Sequence, residues 1–375
     1  MKFSFPALLA VVLSLVAVPA FAQQSVPEIP FESVPDYFQY PAEMNLGEMS
    51  GVAVNSKGHV FMLSRSNVSG PLYNSIATQV LEFDQNGRFV REIGKGVYGF
   101  GYGHGIRVDR DDNIWVVDKG TNMIMKFNPL GHVVMVFGRK EEAPDEHEWI
   151  KLSELASGKV PPPTHRDNYF NQPTDVAWDA AGNIYISDGY ANSRIAKIDK
   201  NGDWIKSWGS RGTEPGQFNT PHNIGVDRAG NVYVADRGTA RIQVFDGEGK
   251  FLRIIKINAP VPAGVRFTLG DTPATPPVTG SSAPGSPWTI CITQGPTQYL
   301  YTNDSFPGRV YKLTLDGKVL GMLGRAGRQL KQFNWAHGMA CPSENELYVA
   351  DLNNWRVQKL ILHPDKQKEM ESSRR

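Results

Sequence analysis

The chain has 375 residues, 41% of them hydrophobic and 21% charged, with 37 Gly, 26 Pro and two Cys. That composition excludes a disordered chain, a collagen-like fibre and a disulfide-stapled mini-scaffold. With 39 basic residues against 38 acidic ones, no global field draws the protein to nucleic acid or to an anionic membrane.

Lys2 supplies a positive start, Leu8 to Val18 an apolar run, and Ala20-Phe21-Ala22 a small-x-small cleavage site. The pattern predicts a secretory signal peptide over residues 1–22, cut after Ala22. The run is short of the about 20 residues that a membrane span needs, and Pro19 follows it. The expectation is an exported protein, secreted or periplasmic, with no stable membrane insertion after cleavage. Export permits one disulfide between Cys291 and Cys341 without requiring it.

From Ser50 onward the chain repeats itself. The first unit, SGVAVNSKGHVFMLSRS, continues with VLEFDQNGRFVREIG. The second runs from His104 (HGIRVDRDDNIWVVDKGTNMIMKFNPLGHVVMVFG), the third from Thr174 (TDVAWDAAGNIYISDGYANSRIAKIDKNGDWIKSWG) and the fourth from His222 (HNIGVDRAGNVYVADRGTARIQVFDGEGKFLRIIK). Looser copies begin at Trp288 and His337. Each unit reads as short strands separated by Asn/Asp/Gly turns, the signature of antiparallel hairpins. Six such units predict an all-β fold over residues 23–362, a six-bladed β-propeller with four-stranded antiparallel blades. The sixth unit has three strands, so a segment near Asp36–Tyr40 is expected to close the ring as its outer strand. Insertions at 139–172, with one short helical stretch, and at 258–287 should emerge on one rim, as lids or plain surface loops. The charged tail, 363–375, is expected to fray.

The residues opening the first strands are Ser50, His104, Thr174, His222, Trp288 and His337. First strands line the channel of a propeller, so three histidines in alternate blades lie about 120° apart at one depth. Three imidazoles at about 2.0–2.1 Å from one ion leave a fourth position open, as in catalytic zinc sites. Affinity order does not separate zinc from copper, nickel or iron, but an all-imidazole set in an exported protein makes zinc the first expectation. The remaining five histidines fall in turns, an insertion and the tail.

A second ring should surround that mouth, from the residues just past each second strand. These are Arg65, Tyr190 and Arg237, with Lys119, Ser305 and Leu352 at roughly corresponding places. Arginine offers a planar fork for a carboxylate, and a tyrosine beside a metal and two cations can ionise below its usual value of about 10. Asp118, Asp188, Asp236, Asp304 and Asp351 recur in nearly every blade, and Arg194 and Arg241 open third strands; all of these are expected to be structural.

The motifs GHGIRVD, QPTDVAWD, SDGYANSRI, PGQFNTPHNIGVD and ADRGTARIQ, with WAHGMA near the end, resemble NHL repeats. More specifically they resemble peptidyl-α-hydroxyglycine α-amidating lyase, the lyase domain of peptidylglycine α-amidating enzymes. The resemblance implies zinc on His104, His222 and His337, a catalytic base at Tyr190, and substrate-orienting arginines at Arg65 and Arg237. It implies cleavage of a peptidyl carbinolamide to an amide and glyoxylate, so the expected partner is a small-molecule or peptide substrate bearing a carboxylate. The family's third ligand sits in Pro-His-Asp, whose Asp helps hold a structural calcium; here Ala336-His337-Gly338 stands, which puts calcium in doubt. The family's cysteines near the tyrosine are absent, whereas Cys291 and Cys341 fall in inner strands of blades five and six, where a bridge could form. No copper monooxygenase segment accompanies the propeller, so a hydroxyglycine substrate would come from elsewhere. The alternatives are a non-catalytic NHL-type platform for a protein or cell-envelope ligand, and a calcium-dependent lactonase-type propeller. The last would need converging carboxylates where this channel offers imidazoles.

Overall fold

The computed structural model describes residues 25–66, 77–141, 166–262, 265 and 279–366. The expected signal peptide, residues 67–76, residues 142–165 with the expected helical stretch, residues 263–264 and 266–278 of the second insertion, and the tail from 367 lie outside the described residues.

Six four-stranded antiparallel sheets follow one another along the chain. Blade one holds Glu48–Val54, Val60–Arg65, Thr78–Phe83 and Phe89–Ile93; blade two opens with Gly103–Val108, blade three with Asp175–Trp178 and blade four with Pro221–Val226. Blade five opens with Cys291–Ile292 and blade six with Ala336–Ser343. In blade three the second and third strands, Ile184–Asp188 and Arg194–Ile198, are buried throughout, while the outer strand Trp204–Trp208 is half exposed. Middle strands covered on both faces explain near-continuous apolar runs such as IWVVD and VYVAD.

The turns follow from their residues. Asp179 Oδ1 accepts from the N–H groups of Ala181 and Asn183, and Gly182 supplies the left-handed residue at φ +88°. In blades two to six the recurrent Asp at or just past the end of the second strand ties down the loop that arrives from the preceding blade. Asp118 accepts from the backbone of Gly101, Tyr102 and Thr121, and Asp236 accepts from Asn219 N–H and Arg241 Nε. Arg194 likewise donates to Asp188 and to the carbonyls of Arg166 and Tyr169. These groups hold the blades, as their repetition suggested.

Among the described residues the apolar core is divided into six clusters, one at each seam between neighbouring blades. The seam from blade six to blade one closes the ring, with Tyr348, Ala350 and Val357 packed against Val52, Met62, Leu81 and Phe83.

The N-terminal arm does close blade six, but through a different segment from the one expected. Phe31–Ser33 pairs antiparallel with Arg356–Leu362, and Ser33 Oγ donates to Gln358 Oε1 at 2.8 Å. The segment Asp36–Tyr40 is not that strand. Asp36 takes φ +48°, which breaks the extended backbone, and Phe38 is buried in the closing seam with its ring 5.2 Å from that of Phe83. Phe38 and Tyr37 pack into that seam, while Gln39 makes a single parallel bridge to Arg88 of blade one. A second fastening lies one blade earlier, where a Cys291–Cys341 disulfide joins the first strands of blades five and six. At the C-terminal end, His363 N–H donates to Pro30 O at 2.8 Å, so the fold runs slightly past residue 362.

Arg107 crosses the axial channel. It donates to Asp175 Oδ2 at 2.6 Å, Asn223 Oδ1 at 2.8 Å and Ile290 O at 2.9 Å, linking blades two to five. On its far side a cavity of about 690 Å³ opens at the mouth formed by the first turns, lined by Asp109, Asp179, Asp227, Trp178 and Arg228 among others.

Candidate metal centre

His104, His222 and His337 converge on the channel axis, with potential ligand atoms all within 4.8 Å of one another. Each histidine is the extra residue of a β-bulge. The pairing of first and second strands shifts between Gly103 and Gly105, between Pro221 and Asn223, and between Ala336 and Gly338. A bulge frees its residue from the ladder and re-aims the side chain. The residue after two of these histidines is glycine for a steric reason. A Cβ on Gly105 would lie 2.7 Å from Thr174 O, and one on Gly338 would lie 2.7 Å from Gly51 Cα.

The Nδ1 atoms are committed to the neighbouring blades. His104 Nδ1 lies 2.8 Å from Thr174 O, His222 Nδ1 2.8 Å from Trp288 O, and His337 Nδ1 2.7 Å from Ser50 O. Carbonyl oxygens only accept, so each Nδ1 donates and each neutral ring keeps its lone pair on Nε2. The three blades without histidine thus contribute their backbone at the same repeat position. Burial first, and then the Arg, Lys and His charges around the mouth, push all three imidazoles well below their usual range, so they stay neutral. His222 Nε2 is buried without a hydrogen-bond partner.

These residues fit a metal ion. Neutral imidazoles with oriented Nδ1–H groups are the usual preparation of a histidine site, and an orphaned buried acceptor is what an ion would satisfy. Closing the set on one ion asks for side-chain movements on the order of an ångström, given metal–nitrogen distances of about 2.0–2.1 Å. Among the described residues, this is the group of three or more His, Cys, Asp or Glu side chains that converges in this way. Where the amidating-lyase pattern has an aspartate after the third histidine stands Gly338, which offers no carboxylate and whose Cβ position is filled by the Gly51 backbone.

The second ring gathers at the same mouth. Tyr190 Oη lies 3.2 Å from His104 Nε2, and its buried ring has Lys119 Nζ at 3.5 Å and Arg237 Cζ at 5.0 Å from its centroid. Burial alone would raise the Tyr190 hydroxyl, but Arg237, Lys119 and Arg65 outweigh it, and the net shift is downward. Arg237 stacks 4.0 Å from the centre of the Trp288 ring, while its Nε and Nη1 are buried without partners. Arg65 is the most tightly held of the three expected groups. It donates to Gly103 O and Glu48 Oε2 and to the hydroxyl of Tyr102, whose ring its guanidinium covers at 3.8 Å.

A family model described as NHL repeat matches residues 218–245, most of blade four. The peptidyl-glycine alpha-amidating monooxygenase of Mus musculus is 31% identical over 235 residues, covering 56% of this chain and 22% of that protein. The peptidyl-alpha-hydroxyglycine alpha-amidating lyase 1 of Drosophila melanogaster is 25% identical over 272 residues, covering 69% and 44%. The propeller carries an NHL repeat and resembles the amidating lyases. This chain therefore spans about a fifth of the monooxygenase and under half of the lyase. Among solved structures, a streptogramin B lyase overlays with TM-score 0.51 at 15% identity, covering 89% of this chain and 98% of that one. A virginiamycin B lyase from Staphylococcus aureus gives 0.52 at 13% identity, covering 90% and 100%. Identities this low speak for a shared fold alone. The names of the curated relatives point to an enzyme of lyase type.

Within this lyase-like propeller, Ser305 and Leu352 complete the second ring as buried residues without charge. Sequence reasoning missed Tyr102, and it gave Lys119 a register but no role. The signal for Tyr102 was its place two residues before His104, on the strand edge that faces Arg65. Trp288 and Trp335, edge to face at 5.1 Å, form an aromatic wall beside His222 and His337.

Proposed function

We propose that the protein is an exported lyase that cleaves the C–N bond of a peptidyl-α-hydroxyglycine-like carbinolamide, releasing an amide and glyoxylate, with zinc held by His104, His222 and His337. The observation that carries this is the set of three neutral imidazoles, each fixed by a carbonyl at Nδ1, with the Tyr190 hydroxyl 3.2 Å from one Nε2. When bound there, zinc supplies Lewis acidity toward the substrate oxygens. Arg237 and Arg65 orient the substrate carboxylate, and Arg237 has two buried nitrogens, Nε and Nη1, to offer it.

Tyr190 moves the proton. With three cations favouring its ionised form, Oη takes the proton from the carbinol hydroxyl as that oxygen forms the aldehyde of glyoxylate. The C–N bond breaks, its electron pair goes to the amide nitrogen, and that nitrogen recovers one proton from Tyr190 Oη. Atoms and charge balance with no further reactant. The disulfide supports the exported compartment, since such bonds persist where the surroundings are oxidising.

The test joins metal content to chemistry. Elemental mass spectrometry of the purified protein should find about one zinc per chain. His222→Ala should lose it without altering the far-ultraviolet circular dichroism spectrum. Wild type should release glyoxylate from an N-acyl-α-hydroxyglycine. Absence of any transition metal after incubation with zinc would favour the non-catalytic platform instead.

A further inference from the structure

The two halves of the histidine mouth differ in chemistry. Toward blades one and two the rim is polar and satisfied within itself. Arg65 donates to Glu48 Oε2 and to the Tyr102 hydroxyl, and its guanidinium covers the Tyr102 ring. Toward blades five and six the rim is indole. The Trp288 ring centre lies 5.0 Å from that of His222 and 5.1 Å from that of Trp335, which in turn lies 5.9 Å from that of His337.

The two tryptophans are used differently. Trp288 is buried, donates its indole N–H to Ser281 O at 2.9 Å and carries the Arg237 guanidinium on its face at 4.0 Å. Trp335 is half-buried, its Nε1 has no hydrogen-bond partner, and it takes no part in the apolar cluster of the blade-five to blade-six seam. Its backbone does not call for an indole either. The residues two before Thr174, His222 and His337 are all left-handed, and they are Gln172 at φ +58°, Thr220 at φ +68° and Trp335 at φ +74°. A bulky side chain is a poor occupant of that region, so the blade sets the conformation and the fold does not account for the ring.

We infer that the substrate carries an aromatic or comparably broad apolar group on the acyl side of the scissile bond, and that Trp335 is the specificity-determining residue on which this group packs. The inference rests on the lyase reading given above. A carboxylate held by Arg237 starts the substrate beside Trp288, and Trp335 is the next surface along the same wall. In the opposite direction an apolar group would cover the Arg65–Glu48 pair, stripping water from charges and giving nothing in return. Against Trp335 the same group leaves water and meets an aromatic ring.

The test uses the zinc-loaded full chain with N-phenylacetyl- and N-acetyl-α-hydroxyglycine, which carry the same charge and differ by a phenyl ring. Wild type should favour the phenylacetyl probe in kcat/KM by on the order of tenfold, as an aromatic contact with partial burial gives. Trp335→Gln, which introduces the side chain that blade three uses at this position, should bring the ratio to about one. Trp335→Phe should keep part of the preference. The same ratios should appear in dissociation constants from calorimetry with the uncleavable N-phenylacetylglycine and N-acetylglycine. No preference in wild type, or a preference kept by Trp335→Gln, overturns the inference while glyoxylate release still upholds the lyase. An equal fall in kcat on both probes with an unchanged binding ratio also overturns it, since Trp335 would then only shape the surroundings of His337. Failure of wild type to release glyoxylate from either probe removes the lyase reading and this inference together.

Discussion

Arg107 Nη2 and Asp175 Oδ2 meet at 2.6 Å across the channel, joining blades two and three beneath the histidines. Asp175 is 1% exposed and also accepts from Ile224 N–H at 3.1 Å, so this one carboxylate couples three blades. It directly follows Thr174, whose carbonyl orients His104. The lock and the proposed ligand set therefore share a strand.

Removing the cation should expose that coupling. Arg107→Met leaves a buried carboxylate without its partner and should cost about 3–5 kcal/mol. Arg107→Met with Asp175→Asn should recover part of the loss. Urea unfolding of the three proteins measures this, and a single variant as stable as wild type would show that the pair does not hold the blades together.

Tyr190→Phe removes the hydroxyl while keeping the ring between Lys119 and Arg237. The variant should keep its zinc and lose about 10²–10⁴-fold in kcat, the usual contribution of a positioned general base. Steady-state glyoxylate release, with metal analysis on the same sample, separates this role from a structural one. Loss of zinc in the variant would instead make Tyr190 part of the metal site.

Asp304 gives stability a pH dependence of known sign. Burial raises its carboxyl to about 6, against the opposing effect of hydrogen bonds from Tyr311, Arg309 and Gly285. A folded-state value above the unfolded one means that its contribution is complete below about 4 and is lost as pH rises through about 6. Wild type should therefore lose stability relative to Asp304→Asn between about pH 4 and pH 7. Denaturant midpoints at several pH values test it, and a constant difference would contradict the assignment.

The disulfide closes a loop with a sequence separation of 50. Cys341→Ser should lower unfolding free energy by roughly 2–4 kcal/mol, chiefly through the freer unfolded chain. The blade-five to blade-six seam keeps its apolar cluster, so circular dichroism of the folded variant should match wild type.

The repeat, the propeller and the register of the three histidines were legible in the sequence. Each is encoded locally, by apolar strands, by Asp-x-x-Gly turns and by one position counted from the start of each unit. The buried aspartates could be judged structural because repetition itself marks a scaffold group. Tertiary structure alone decided the rest. Phe31–Ser33 rather than Asp36–Tyr40 closes the ring because a left-handed Asp36 and a core-filling Phe38 matter only once blades six and one meet. The carbonyls of Ser50, Thr174 and Trp288 orient the imidazoles through backbone atoms, which leave no trace in residue type. Arg107 in the channel and Lys119 beside Tyr190 likewise depend on side chains brought together from different blades. The chain spells out each blade locally, while contacts across seams and across the axis arise only when radial packing brings distant residues within reach.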